Sequence, residues 1–280
     1  AHLKELDISN LNKKSLTKKT FLSYRLKDTS DSNTYALLRT MRYTNVFKTG
    51  GMIYIHSDTM QSWDISPALH HTPYTVIDMN PGIISAFTPT INVNIKTKYK
   101  KINTSNVIGY IRGMVSDTFI VFTAHYDHLG RMGEAYFPGA HDNASGVALM
   151  LDLAKHIAQT KPYYSICFIA FAAEELGLLG SLYYCNHPLF PLSQIKSLIN
   201  LDIVGSGSEG VMVVNGEKLE WLQTLRKIND NTNELKQIKI RSNAPNSDHY
   251  PFTLHHVPAG FIYTLGNEYI FDTHKFPITA

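Results

Sequence analysis

Residues 164–177 read Tyr164-Ser165-Ile166-Cys167-Phe168-Ile169-Ala170-Phe171-Ala172-Ala173-Glu174-Glu175-Leu176-Gly177. The run from Tyr164 to Ala172 is apolar almost throughout. That is the pattern of a strand covered on both faces, as in a parallel sheet, rather than the alternation of a half-exposed one. It leads directly into two adjacent carboxylates. Like charges this close destabilise each other unless a cation or a proton sits between them. One stretch therefore predicts an α/β fold and a polar site at the carboxyl end of a central strand.

The pattern extends outward from there. Residues 106–111 and 118–123 read as strands. A helix follows over 145–160, with Val147, Leu151, Ala154, Ile157 and Ala158 on one stripe. Asn143 or Ser145 would cap it, and Lys161-Pro162 would end it. Residues 176–184 read as a short helix, 197–204 as a buried strand, 211–214 as a short strand and 219–229 as a helix. This order implies an open, mostly parallel sheet flanked by helices. Sites in such sheets lie at the carboxyl ends of the strands. Residues 1–105 differ in character. They are rich in Lys, Asn, Ser and Thr, with β-like runs at 52–56, 75–79 and 91–95, and read as a small β-rich N-terminal module.

The totals exclude several classes. The chain has 280 residues, 44% of them hydrophobic, enough for one sizeable domain with room for a small module. Net charge is +3 and the pI about 8.6, too mild to indicate nucleic acid. The lysine runs at 13–14, 18–19 and 96–101 read as solvated surface. No apolar stretch reaches the ~18 residues needed to span a bilayer. The start, Ala1-His2-Leu3-Lys4, lacks an apolar signal segment, which fits a targeting peptide already removed. Cys167 reads as a small buried residue of its strand, with a bridge to Cys185 left open. Nothing in the pattern specifies an oligomeric state.

Acids and imidazole gather at three strand ends. The strand over 118–123 runs into His125-Tyr126-Asp127-His128, the second into Glu174-Glu175, and the third into Asp202. The loop Gly139-Ala140-His141-Asp142-Asn143-Ala144-Ser145-Gly146 adds Asp142 before the helix. Strand ends of a parallel sheet share one rim, so these residues converge. One histidine with several carboxylates can hold zinc or a similar divalent ion. A carboxylate count this high suits two ions bridged by one acid, roughly 3.5–4 Å apart. In His125-x-Asp127 the side chains lie on the same side of extended chain. Asp127 can then accept from the far imidazole N–H. Adjacent Glu174 and Glu175 point in different directions, so one can bind metal while the other acts as general base. His128 and His141 read as rim residues, and Asp248 and His249 as residues that shape the pocket.

Two further patterns carry no function. Gly205-Ser206-Gly207-Ser208-Glu209-Gly210 fits G-x-G-x-x-G, but the β-like Val211-Met212-Val213-Val214 follows instead of a helix, so no helix N-terminus awaits a pyrophosphate. Neither a G-x-S-x-G elbow nor an H-E-x-x-H helix is present.

His125-Tyr126-Asp127, 139–146, 172–181, Asn200-Leu201-Asp202 and Ser247-Asp248-His249-Tyr250-Pro251-Phe252 together resemble, in order, the M28 family of co-catalytic zinc peptidases, over about 106–280. The resemblance implies a zinc-exopeptidase (phosphorylase/hydrolase-like) fold and a secreted or otherwise extracytoplasmic aminopeptidase acting on peptides. It implies two Zn²⁺, with Asp142 bridging, His125 and Asp202 on one ion and Glu175 on the other. It also implies Glu174 as the base that activates water, Asp127 as the support for His125, and a cis peptide after Asp142. Residues 45–80 look like a reduced protease-associated insert within the 1–105 region. One position departs from the pattern. The family's last ligand is a histidine four residues before an Asp-Thr pair, here Asp272-Thr273, and that position holds Glu268. Glu268 is the expected replacement, with His274 as the alternative. Two rival functions share the scaffold: a glutaminyl cyclase with one zinc, and a non-catalytic binding protein with a degraded metal site.

Overall fold

The computed structural model describes residues 2–5, 16–25, 32–56, 74–79, 90–96, 101–132 and 135–266. Its packing divides the chain into two units, 1–63 with 68–101, and 64–67 with 102–280.

In the first unit, strands β1 (His2–Glu5), β2 (Thr20–Arg25), β3 (Gly51–Ile55) and β4 (Thr75–Met79) form a sheet in that order. Every neighbouring pair is parallel. Helix α1 (Ser32–Tyr43) lies between β2 and β3 in sequence. Its Leu38 and Met41 bury against Leu22, Met52 and Tyr54. The expected strands at 52–56 and 75–79 are present as β3 and β4. The expected strand at 91–95 is irregular chain. Ile91 and Val93 are apolar because they pack on Phe21, Ile53 and Ile55, not because they join a ladder. The helix makes this unit α/β rather than simply β-rich.

The second unit holds β5 (Val107–Ile111), β6 (Val115–His125), a short ribbon of β7 (Arg131–Met132) and β8 (Ala135–Tyr136), α2 (Ser145–Ile157) and β9 (Tyr164–Phe171). Next come α3 (Leu179–Asn186), β10 (Ile195–Leu201), β11 (Val211–Val214), α4 (Glu220–Thr232), β12 (Ile238–Arg241), α5 (His249–Leu254) and β13 (Ala259–Thr264). Seven strands form one sheet in the order β12-β11-β13-β10-β6-β9-β5. The central four, β13-β10-β6-β9, are mutually parallel. β5 is antiparallel to β9, and β11 to β13.

β9 explains its own composition. Cys167, Ile169 and Phe171 join Val121, Leu198, Tyr184 and Phe252 on one face, under α3 and α5. Ile166 and Phe168 join Ala124, Leu201 and Met150 on the other, under α2. Successive side chains point to opposite faces, so a strand between two helical layers is apolar at nearly every position, Ser165 being the exception in β9. Each such side chain contributes about 1.5–3 kcal/mol on burial. Cys167 and Cys185 are both buried and both free.

α5, β12 and β13 have no counterpart in the sequence reading. α5 has six residues, too few to show a helical period. β13 carries Gly260, where a Cβ would lie 2.2 Å from Leu219 Cδ1. The close approach of α4's entry to the sheet requires glycine there, which weakens the strand signal. α3 begins later than expected because Leu178 adopts a left-handed φ of 60°.

Candidate metal centre

Register brings the strand ends together. His125 pairs with Phe171 across β6 and β9, and Thr123 pairs with Asn200 across β6 and β10. The chains leaving β9 and β10 therefore emerge on either side of His125. Both turn sharply there, with φ of 58° at Ala173 and 56° at Ile203. Such a φ is a strained state for a β-branched residue, of order 1–3 kcal/mol. Ile203 is held in it by its partners. Its carbonyl accepts from the Thr264 N–H at 2.9 Å and from Thr264 Oγ1 at 3.0 Å. Its own N–H donates to Asn143 Oδ1 at 3.2 Å.

Asn143 also places the bridging acid of the resemblance. Its Nδ2 donates to the Leu201 carbonyl at 3.0 Å, and its Oδ1 accepts from the Gly146 N–H at 3.0 Å. The side chain thus holds one first-turn N–H of α2, whose N-cap is Ala144, and ties the 139–146 loop to the end of β10. Gly146 has no room for a Cβ, which would lie 2.3 Å from the Leu201 carbonyl oxygen. Ser145, the other candidate cap, donates instead to the His141 carbonyl at 2.6 Å. The Asp142–Asn143 peptide is cis.

Two groups of donor atoms result. In the first, buried His125 Nε2 lies 3.2 Å from Asp142 Oδ1 and 3.3 Å from Asp202 Oδ1. Zinc ligands sit at about 2.1 Å from the ion, so tetrahedral neighbours are about 3.4 Å apart. These distances fit that requirement. Glu174 offers an oxygen to the same group. A buried chain supports it from below. Thr123 Oγ1 donates to Asn200 Oδ1 at 2.6 Å, Asn200 Nδ2 to Ser247 Oγ at 2.7 Å, and Ser247 Oγ to Asp202 Oδ2 at 2.7 Å. Ser247 opens the Ser247–Phe252 motif, yet its bond to Asp202 carries no signal in the sequence.

Asp127 lies against His125, as expected, and makes further contacts. His125 Nδ1 lies 3.1 Å from the backbone carbonyl of Asp127 and 3.7 Å from its carboxylate. The carboxylate also accepts the Glu174 N–H at 3.1 Å and the Glu175 N–H at 3.2 Å. One residue therefore meets the imidazole through its backbone and its carboxylate, and the paired glutamates through the carboxylate.

The second group is His128, Asp142 and Glu175. His128 Nδ1 is 2.7 Å from Glu175 Oε1 and 4.0 Å from Asp142 Oδ1. His128, read as a rim residue, thus lies beside two of the expected ligand acids. The i, i+3 spacing from His125 was the available signal. His141 is at the periphery, its Nδ1 accepting the Gly205 N–H at 3.0 Å.

The acids press on one another. Burial is the first cause that pushes Glu174 well above the ordinary carboxylate range, and the charges of Asp248, Asp202 and Glu175 add to it against His125. Burial likewise raises Asp142, opposed by its bond to His125. Burial disfavours the charge of His125, but Asp202 first, then contacts with Asp127 and Asp142, hold its pKa well above the usual value. A divalent cation among these donors would relieve the repulsion. Donor types, spacing and crowding all fit zinc.

Asp248 and His249, expected to shape the pocket, are fully buried behind it. Asp248 accepts from Ser181 Oγ, and burial pushes its pKa up to about 7. His249 Nε2 contacts Asn243 Oδ1 at 3.2 Å. Glu268 and His274 lie outside the described residues. A cavity of about 900 Å³ adjoins the site at Asp127, His128 and Glu175, with Ile108, Leu176, Leu179 and Tyr183 in its wall.

The family model described as Peptidase family M28 matches residues 106–276. The chain belongs to peptidase family M28. Among M28-like relatives, the aminopeptidase YwaD of Bacillus subtilis is 42% identical over 91 residues, 32% of this chain and 19% of that protein. The curated relatives are matched over 19% to 36% of their own length. Among solved structures, BSAP, a zinc aminopeptidase from Bacillus subtilis, superposes with a TM-score of 0.67 at 19% identity, covering 100% of this chain and 70% of that one. A Porphyromonas gingivalis glutaminyl cyclase reaches 0.50 at 20% identity, over 61% and 66%. These likenesses establish the M28 fold for this chain. They also show that one fold serves two named activities, so chemistry must be argued from the site.

Proposed function

We propose that this chain is a metal-dependent aminopeptidase that removes N-terminal residues from peptides. It would hold two zinc ions between His125, Asp142 and Asp202 on one side and Asp142 and Glu175 on the other. The observation that carries the reading is that Asp142 stands between two donor groups with Glu174 beside them. Zinc, when bound, would polarise a scissile carbonyl and acidify water. Glu174 would take the proton of the attacking water and return it to the leaving amine. Burial raises its affinity for protons, as suits a group that takes up and returns one. Asp127 would keep His125 and both glutamates aimed at the reacting atoms. The acidic surround would hold a free substrate ammonium, and the apolar wall of the cavity offers room for a side chain.

Family membership and the names of the relatives support the class of reaction. An extracytoplasmic location belongs to the same reading, and among the described residues no helix is long and apolar enough to cross a membrane. Residues 1–105 would then be an accessory region containing a reduced protease-associated-like insert. The test is turnover of amino-acyl anilides by zinc-loaded protein, with its loss on chelation and return on readdition. Cyclisation of N-terminal glutamine peptides with no anilide turnover would identify a glutaminyl cyclase instead. Neither activity with two zincs absent would identify a binding protein.

A further inference from the structure

We infer that His128 supplies the imidazole of the second metal position, taking the place of the family histidine that is Glu268 in this sequence. This rests on the two-zinc reading above and assigns one more residue to it. Three observations carry it. First, His128, Asp142 and Glu175 each offer a ligand atom, all within 4.8 Å of one another. The separations of Nδ1 from Glu175 and Asp142, 2.7 and 4.0 Å, bracket the ~3.4 Å expected between neighbouring zinc ligands. One nitrogen and two carboxylate oxygens make a three-ligand catalytic type of site with an open position.

Second, the ring is held in place. Its centroid is 6.4 Å from that of Phe137, edge to face. Its other side abuts Gly139, where a Cβ would come within 3.1 Å of three His128 atoms. Gly139 itself has a φ of +69°. Substitution there would both strain the backbone and crowd the imidazole. Third, Asp142 Oδ1 faces both His125 Nε2 and His128 Nδ1, so the two histidines flank one acid as the imidazoles of a bridged pair should.

The rival role for His128 is to orient Glu175 without touching metal. Loss of an orienting partner costs about 10–100-fold in metal affinity, whereas loss of a ligand should exceed that. The experiment is zinc titration of metal-free wild type, His128→Ala and His128→Gln, with circular dichroism to verify folding, and zinc K-edge absorption of the loaded proteins. We expect two ions in wild type, the weaker one lost or weakened more than ~100-fold in both variants, and one fewer imidazole per chain in the absorption fit of any variant that can be loaded. Two ions and an unchanged imidazole count in H128Q would overturn the inference while leaving the two-zinc reading intact. A wild-type chain that takes only one ion would overturn both. If neither variant folds, the wild-type imidazole count decides: two or more supports a second imidazole, and one overturns it.

Discussion

The two donor groups are built differently, although Asp142 lies against a histidine of each. His125 and Asp202 are anchored by strand ends in register, and a buried chain from Thr123 through Asn200 and Ser247 fixes Asp202. His128 and Glu175 sit on the segments beyond β6 and β9. They are held by Gly139, Phe137 and the Asp127 carboxylate, beside an open cavity. The sheet fixes the first group, and loop packing fixes the second. Rigid elements place ligands more reproducibly than loops do, so the first position should bind its ion more tightly.

Asp142→Asn tests the element common to both groups and has the largest expected effect. Zinc content should fall from two ions per chain and anilide turnover by at least ~10³-fold, since a Lewis acid contributes several kcal/mol. Unchanged zinc by elemental analysis would break the shared-acid picture. Glu174→Gln should leave both ions bound while kcat drops about 10²–10⁴-fold, the usual worth of a general base. If zinc is lost along with turnover, Glu174 is a ligand of the first group instead.

Ser247→Ala reaches the strand-anchored group alone. It should weaken the tighter ion about 10–100-fold and leave the other unchanged, as read by two-site calorimetry. It also leaves buried Asn200 Nδ2 without its acceptor, at about 1–3 kcal/mol of stability. Equal weakening of both ions would show that the groups are mechanically one.

The smallest effect concerns pH. Asp248 binds protons more tightly in the folded chain, near pH 7, than its ordinary 3.8. A raised carboxyl pKa contributes stability that is complete below pH 4 and lost as pH rises through 7. The raised His125 adds in the same direction at higher pH. Metal-free protein should therefore lose Tm from pH 4 to 7, and Asp248→Asn should flatten that slope. An unchanged slope would remove Asp248 from the account.

Much of this was legible beforehand because it depends on period and order. β9, β11 and α2 appear within a few residues of their expected bounds, since burial on two faces and a helical stripe both write themselves into sequence. His125, Asp142, Glu174, Glu175 and Asp202 were all selected, and the structure brings them together. What escaped depends on neighbours distant in sequence. α1 lay in a stretch whose polar residues mask Leu38 and Met41. Ile91 and Val93 looked like a strand because packing alone can demand apolar residues. Asp248 and His249 were read as shaping the pocket, and the start of α5 holds them fully buried.

The sequence by itself determined that a buried parallel strand ends in paired acids beside a histidine and two further carboxylates, because strand ends of such a sheet must share a rim. Tertiary structure decided how the paired acids are held and which imidazole faces Glu175. Asp127 uses its backbone for His125 and its carboxylate for both glutamate N–H groups, and His128 turns inward because Gly139 leaves it space. Spacing along a chain predicts which residues meet at an edge. Only the packing of loops over that edge determines which atoms face one another.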